Sequence, residues 1–107
     1  KQVTVQLHPK PIHATLPIWI TAGGSPETFR YAGSIGANVL THLLGQSEEA
    51  LSEKIAIYRQ ARADAGFDAG RIALMLHTFF GEDAESVKRV VEQPLKNYFR
   101  QSLDLLK

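Results

Sequence analysis

Val3, Val5 and Leu7 alternate with Thr4 and Gln6, the period of a half-exposed strand. The alternation then breaks. His8-Pro9-Lys10-Pro11-Ile12-His13 is a proline-punctuated extended connector, because each proline biases its predecessor away from helix. After Pro17 the run Ile18-Trp19-Ile20 is apolar throughout, β-branched and aromatic, and it ends in Thr21-Ala22-Gly23-Gly24. A short strand apolar on both faces suits a parallel sheet covered on both sides. Ser25-Pro26 predicts a helix start, with Ser as N-cap, Pro at the first helical position and Glu27 placed to suit the helix dipole. Phe29, Ala32 and Gly33 form a narrow packing face, and Gly36 is placed to close the helix.

Ala37-Asn38-Val39-Leu40-Thr41-His42-Leu43-Leu44 reads as a second buried strand, closed by Gly45. Ser47 then caps Glu48-Glu49-Ala50 and opens the clearest helix, whose stripe of Leu51, Ile55, Tyr58, Arg62 and Ala65 runs to Gly66. Ile72-Ala73-Leu74-Met75-Leu76 makes a third buried strand, ending at His77-Thr78-Phe79-Phe80-Gly81. A last helix begins near Asp83 and packs Val87, Val90 and Val91. Pro94 is expected to interrupt it, with Leu95, Tyr98, Phe99, Leu103 and Leu106 continuing the stripe after a kink.

The order is strand, then three strand–helix units. Repeating βα units imply an α/β fold with a parallel sheet and right-handed crossovers. Two architectures fit: a small open doubly wound sheet, or part of a (β/α)₈ barrel. A complete barrel takes ~250 residues, so 107 residues supply fewer than half of one. Residues 1–107 therefore read as one unit, with 1–17 a lead-in strand and proline-rich connector and 18–107 the three βα units. The sequence has no initiator Met and stops within the apolar helical pattern Leu103-Asp104-Leu105-Leu106-Lys107. The expectation is a piece of something longer.

Composition narrows the partners. A chain with 44% hydrophobic and 21% charged residues can bury a core and reads as soluble and globular. Its twelve basic residues are scattered and the net charge is +1, which argues against nucleic acid. With no cysteine, disulfides and thiolate metal sites are excluded. No apolar run approaches the ~18 residues that span a bilayer, and the first residues lack the apolar block of a signal peptide. Cytoplasm is the default expectation.

In parallel α/β proteins ligands gather at the carboxyl ends of strands, where the Gly23–Thr28 turn lies. Gly23 and Gly24 are expected to supply positive φ and room for a ligand. Free N–H groups of the first helical turn, with the positive dipole end behind them, favour an anion, and Ser25 and Thr28 add two hydroxyls. An ordinary capped turn is the competing reading. Thr41 with His42, and His77 with Thr78, end the next two strands. Both pairs are expected on the side where a cofactor ring would sit. Each histidine is either a hydrogen-bond donor or acid–base group lining the pocket, or a structural histidine satisfied by backbone. No spacing supports a metal site.

Ile18-Trp19-Ile20-Thr21-Ala22-Gly23-Gly24-Ser25-Pro26-Glu27-Thr28-Phe29, with Ala32-Gly33 and Ile35-Gly36-Ala37-Asn38, resembles the sixth βα unit of the luciferase-like FMN-dependent monooxygenases. The likeness continues through Thr41-His42-Leu43-Leu44-Gly45-Gln46, the Glu-rich helix, Leu76-His77-Thr78-Phe79 and Tyr98-Phe99-Arg100-Gln101-Ser102-Leu103-Asp104-Leu105-Leu106. These later stretches are most similar to the subgroup embedded in nonribosomal peptide and polyketide synthases. The resemblance implies units six to eight of a (β/α)₈ TIM barrel, with Ser25 and Thr28 on the flavin phosphate. Where some relatives carry a glutamate before that serine, this chain has Gly24. It further implies reduced FMN supplied by a partner reductase, O₂ as co-substrate, and an organic substrate, carrier-tethered in the assembly-line subgroup. On this reading the chain alone does not turn over. The alternatives are a non-catalytic fragment or module that self-associates through open sheet edges, or a small phosphate-ligand binding domain.

Overall fold

The computed structural model describes residues 2–6, 8–13 and 15–104. Leu7 of the opening alternation, and Leu106 of the last apolar stripe, lie outside the described residues. The elements in chain order are β1 (Trp19–Thr21), α1 (Pro26–Ser34), β2 (Asn38–His42), α2 (Glu48–Asp64), β3 (Ile72–Met75) and α3 (Ala84–Asp104). They fall into two compact units, Lys1–Met75 and Leu76–Lys107.

In the first unit the three strands are parallel and lie in the order β1-β2-β3. Trp19 stands opposite Asn38 and Thr21 opposite Leu40, while Val39 stands opposite Ile72 and Thr41 opposite Leu74. Strand residues alternate between faces, and one face carries the core. Ala22 and Val39 pack there with Phe29 and Ala32 of α1 and Leu51 and Tyr58 of α2, joined by Ile20 and Ile72. Both helices thus cover the same face, as they do around a (β/α)₈ barrel.

The two helices approach closely because residue 33 is glycine. A Cβ at Gly33 would lie 2.5 Å from the Tyr58 carbonyl oxygen and 2.8 Å from Ala61 Cβ. Both end in the same hydrogen-bonded motif. The Ala37 N–H donates to Ala32 O and Gly36 to Gly33 O; Phe67 donates to Arg62 O and Gly66 to Ala63 O. Gly36 and Gly66 take the positive φ this ending requires, 73° and 79°. At the entry ends of the strands, buried Arg62 ties three segments together. Its guanidinium donates to Ala37 O (2.9 Å) and Asp68 O (2.6 Å), and pairs with the Asp68 carboxylate (2.6 Å). The Tyr58 hydroxyl donates to the same Ala37 carbonyl at 2.9 Å. The Arg62 hydrogen bond, then the Gly70 N–H, hold the Asp68 carboxyl below its ordinary range.

Three expectations for the first unit are corrected in the described residues. Residues 2–6 form no strand, and Val3 and Val5 are 77% and 78% exposed. Alternation makes a strand only where an edge and a face await it, and no described segment pairs with these residues. Second, within the first unit the helices cover one face of the sheet only. Trp19, Leu40 and Met75, expected to be buried, stand exposed on the other face, because both helices and the core lie on the Val39 side. Third, Ala65 caps α2 at the surface instead of extending its buried stripe.

The second unit contains α3. It runs unbroken through Pro94, correcting the expected interruption. The ring costs one hydrogen bond, to the carbonyl four residues back, and the hydrogen-bonded turns on either side carry the helix past it. Asp83 starts the helix, accepting the Ser86 N–H at 2.8 Å. That bond lowers the Asp83 pKa. Val87, Val91, Leu95 and Phe99 are half-buried along one face.

Candidate functional site

Parallel strands all end on one side, so the turn after β1 and the end of β2 are neighbours. Thr21 stands opposite Leu40, and two residues further along this register Gly23 meets His42. A Cβ at Gly23 would lie 3.1 Å from His42 Nε2 and 3.4 Å from its Cε1. A side chain at position 23 would press on the His42 ring, which glycine leaves unhindered. Neither Gly23 nor Gly24 has a positive φ, which corrects the expectation of left-handed backbone there. Around Gly24 a Cβ would meet nothing within 4 Å, so the turn is open at this point.

Ser25 is the N-cap of α1, with φ −83° and ψ 118°, and Pro26 follows. The expected cap is there in backbone only, since the Ser25 hydroxyl makes no capping hydrogen bond. The N–H groups of the first turn have no partner within the helix, and Ser25 does not supply one. The Glu27 carboxylate accepts from Arg30 Nε at 3.3 Å, which draws its charge toward the next turn. Thr28 is half-buried one turn in. Ser25 and Gly24 are exposed at this helix start, and Glu27 is the one acidic residue of its first turn.

His42 is half-buried at the rim, on the opposite face from Thr41. Its Nδ1 accepts the Leu44 N–H at 3.2 Å. The Gln46 side-chain amide donates to the His42 carbonyl, and Lys54 Nζ donates to Gln46 Oε1 at 2.7 Å. These contacts fix the loop that carries the imidazole. No short motif signals them, because they depend on how residues 42–46 fold back on themselves and onto α2. Thr41 is 1% exposed on the helix-covered face, and its Oγ1 has no hydrogen-bond partner. The two expected neighbours on the cofactor side are therefore separated by the alternation of the strand, with His42 turned toward the Gly23 turn and Thr41 inward.

His77 and Thr78 belong to the second unit. The His77 ring lies 4.8 Å from the Tyr98 ring and 5.4 Å, edge-on, from Phe99. Thr78 Oγ1 donates to Leu76 O at 3.4 Å. His77, Phe79, Val87, Val91, Leu95 and Tyr98 line an open, largely apolar cavity of about 510 Å³. Among the described residues there is no group of three His, Asp or Glu side chains able to hold a metal ion. No helix in the described residues is long and apolar enough to cross a membrane.

The family model of the luciferase-like monooxygenases matches residues 1–104. No curated protein matches the chain.

Proposed function

We propose a role that proceeds from one premise: the chain belongs to the luciferase-like monooxygenase family. Members are TIM barrels and generally flavin-dependent oxidoreductases. The three-stranded parallel sheet with helices on one face is consistent with part of such a barrel. Its units are the sixth to eighth of the parent fold, and the exposed face of Trp19, Leu40 and Met75 is the one the remaining strands cover.

In this reading the Gly23–Thr28 turn holds the phosphate of FMN. The observation that carries it is the Ser25 hydroxyl, placed at a helix start yet free of any capping bond. The turn fits a phosphate on its own chemistry. Gly24 leaves the approach open, the first-turn N–H groups and two hydroxyls donate, and the nearest carboxylate is engaged by Arg30. Bound there, the flavin supplies the redox chemistry with O₂ that the side chains cannot perform. The chain's own task is to seat and orient it. The parent enzyme takes reduced FMN from a partner reductase and oxidises an organic substrate, tethered to a carrier protein as in the assembly-line subgroup. This chain by itself binds without turnover, since it supplies fewer than half of the strands that build the pocket.

Flavin fluorescence during titration tests the cradle. Ser25→Ala combined with Thr28→Ala is expected to weaken FMN at least about tenfold, the loss of charge-assisted hydrogen bonds worth roughly 1.5–3 kcal/mol. Riboflavin, which lacks the phosphate, is expected to bind both forms alike. Unchanged FMN affinity in the double variant rules the cradle out.

A further inference from the structure

The geometry points to His42 as an additional phosphate contact of the same turn, acting as a neutral hydrogen-bond donor through Nε2. The inference rests on the cradle reading above and adds a residue and a protonation state to it. A ring nitrogen that accepts a backbone N–H carries a lone pair, so the Leu44 N–H at 3.2 Å leaves Nδ1 without its proton. In a neutral imidazole the proton then sits on Nε2. That atom is on the far side of the ring from Leu44 and is the one nearest the missing side chain of Gly23, 3.1 Å from where a Cβ would stand. No hydrogen-bond partner within the chain takes up Nε2 among the described residues.

The loop is built to hold this orientation. Gln46, itself held by Lys54, ties down the His42 carbonyl, and the Leu44 N–H fixes the ring. Glycine at 23 clears the space the imidazole enters. These features place an N–H donor at the edge of a turn that has no lysine or arginine between Gly23 and Thr28. A neutral donor committed by its other nitrogen to a backbone N–H is unsuited to act as a general base. The same geometry therefore assigns His42 to binding and not to proton transfer.

Two measurements on this chain test the inference. Ring ¹⁵N resonances report which nitrogen bears the proton, and titration with FMN and with riboflavin isolates the phosphate. The expected result is a neutral ring protonated on Nε2, whose Nε2 signal moves with FMN and not with riboflavin. His42→Ala is expected to weaken FMN about tenfold and leave riboflavin unchanged, while His42→Gln, which keeps an N–H near the same place, retains most of the affinity. A ring protonated on Nδ1 overturns the inference. So does equal loss of FMN and riboflavin, or an FMN affinity that His42→Ala does not alter. If Ser25→Ala with Thr28→Ala weakens FMN and His42→Ala does not, His42 alone is excluded. If neither weakens it, or the chain shows no phosphate-dependent response, the cradle fails and this inference with it. A melting curve for His42→Ala guards against misfolding, and the ring spectrum of the unmutated chain stands independently of it.

Discussion

Helices α1 and α2 both begin at a serine in extended conformation, yet the two hydroxyls are used differently. Ser47 accepts the Ala50 N–H at 3.2 Å and spends its oxygen on its own helix. Ser25 forms no such bond. Asp83 gives α3 a third start, closed like that of α2 by a side-chain oxygen. A closed start adds stability through a satisfied donor. An open one forgoes that gain, and in the proposed reading its donors serve the phosphate. The helix with the open start follows the β1 turn at the carboxyl edge of the sheet, the edge where ligands of parallel α/β proteins gather.

The largest test of this contrast separates the helices. Gly33→Val drives methyl groups into the Tyr58 carbonyl and Ala61, a backbone contact that cannot relax by rotamer change. Urea unfolding is expected to show a loss of about 3 kcal/mol. Amide exchange should rise throughout α1, which lacks a side-chain cap, before it rises at Ala50. Equal early exchange at both helix starts would mean that the cap on α2 adds no local protection.

A smaller effect separates the serines directly. Ser47→Ala is expected to cost about 1 kcal/mol of stability, the usual worth of a lost N-cap bond. Ser25→Ala should cost a few tenths at most and act instead on FMN affinity. A stability loss at Ser25 matching that at Ser47 would show its hydroxyl to be an ordinary cap.

The smallest effect comes from pH. Glu49 is held below the ordinary glutamate value of 4.5, first by a backbone N–H and then by the Ser47 side chain. Asp83 is held below 3.8 by the Ser86 N–H and hydroxyl. For a depressed carboxyl the stabilising contribution is complete above the unfolded-state pKa and disappears as pH falls through the folded one. Acidification below about pH 4 should therefore loosen the starts of α2 and α3, read as faster exchange of the Ala50 and Ser86 amides. Exchange that stays flat across this window, after correction for intrinsic rate, would contradict the assignment.

Much of this arrangement was legible in the sequence. Ser25-Pro26 and Ser47 marked helix starts, and Gly36 and Gly66 marked ends, because caps are local chemistry read from adjacent residues. Phe29, Ala32, Gly33 and Tyr58 declared a buried face through helical spacing. What local pattern could not supply was phase and partnership. In a run such as Val39-Leu40-Thr41-His42, apolar residues alternate with polar ones on both sides, so sequence alone does not say which face the helices cover. Thr41 went inward and His42 outward on the strength of packing by α1 and α2. The closeness of Gly23 to His42 was also hidden, since it depends on a histidine brought alongside by strand register. For Val3 and Val5 the period was right and the partner strand was missing among the described residues.

The Arg62 cluster has a practical consequence. It locks Ala37, Tyr58 and Asp68 together at the entry edge of the sheet, whereas the Gly23 turn and the 43–46 loop sit at the exit edge. Mutational load on one edge need not be felt at the other, since sites that share no partners have nearly additive effects. The exit edge, where the proposed cradle lies, can thus be diversified against a fixed background of foldability, so long as Arg62 stays untouched.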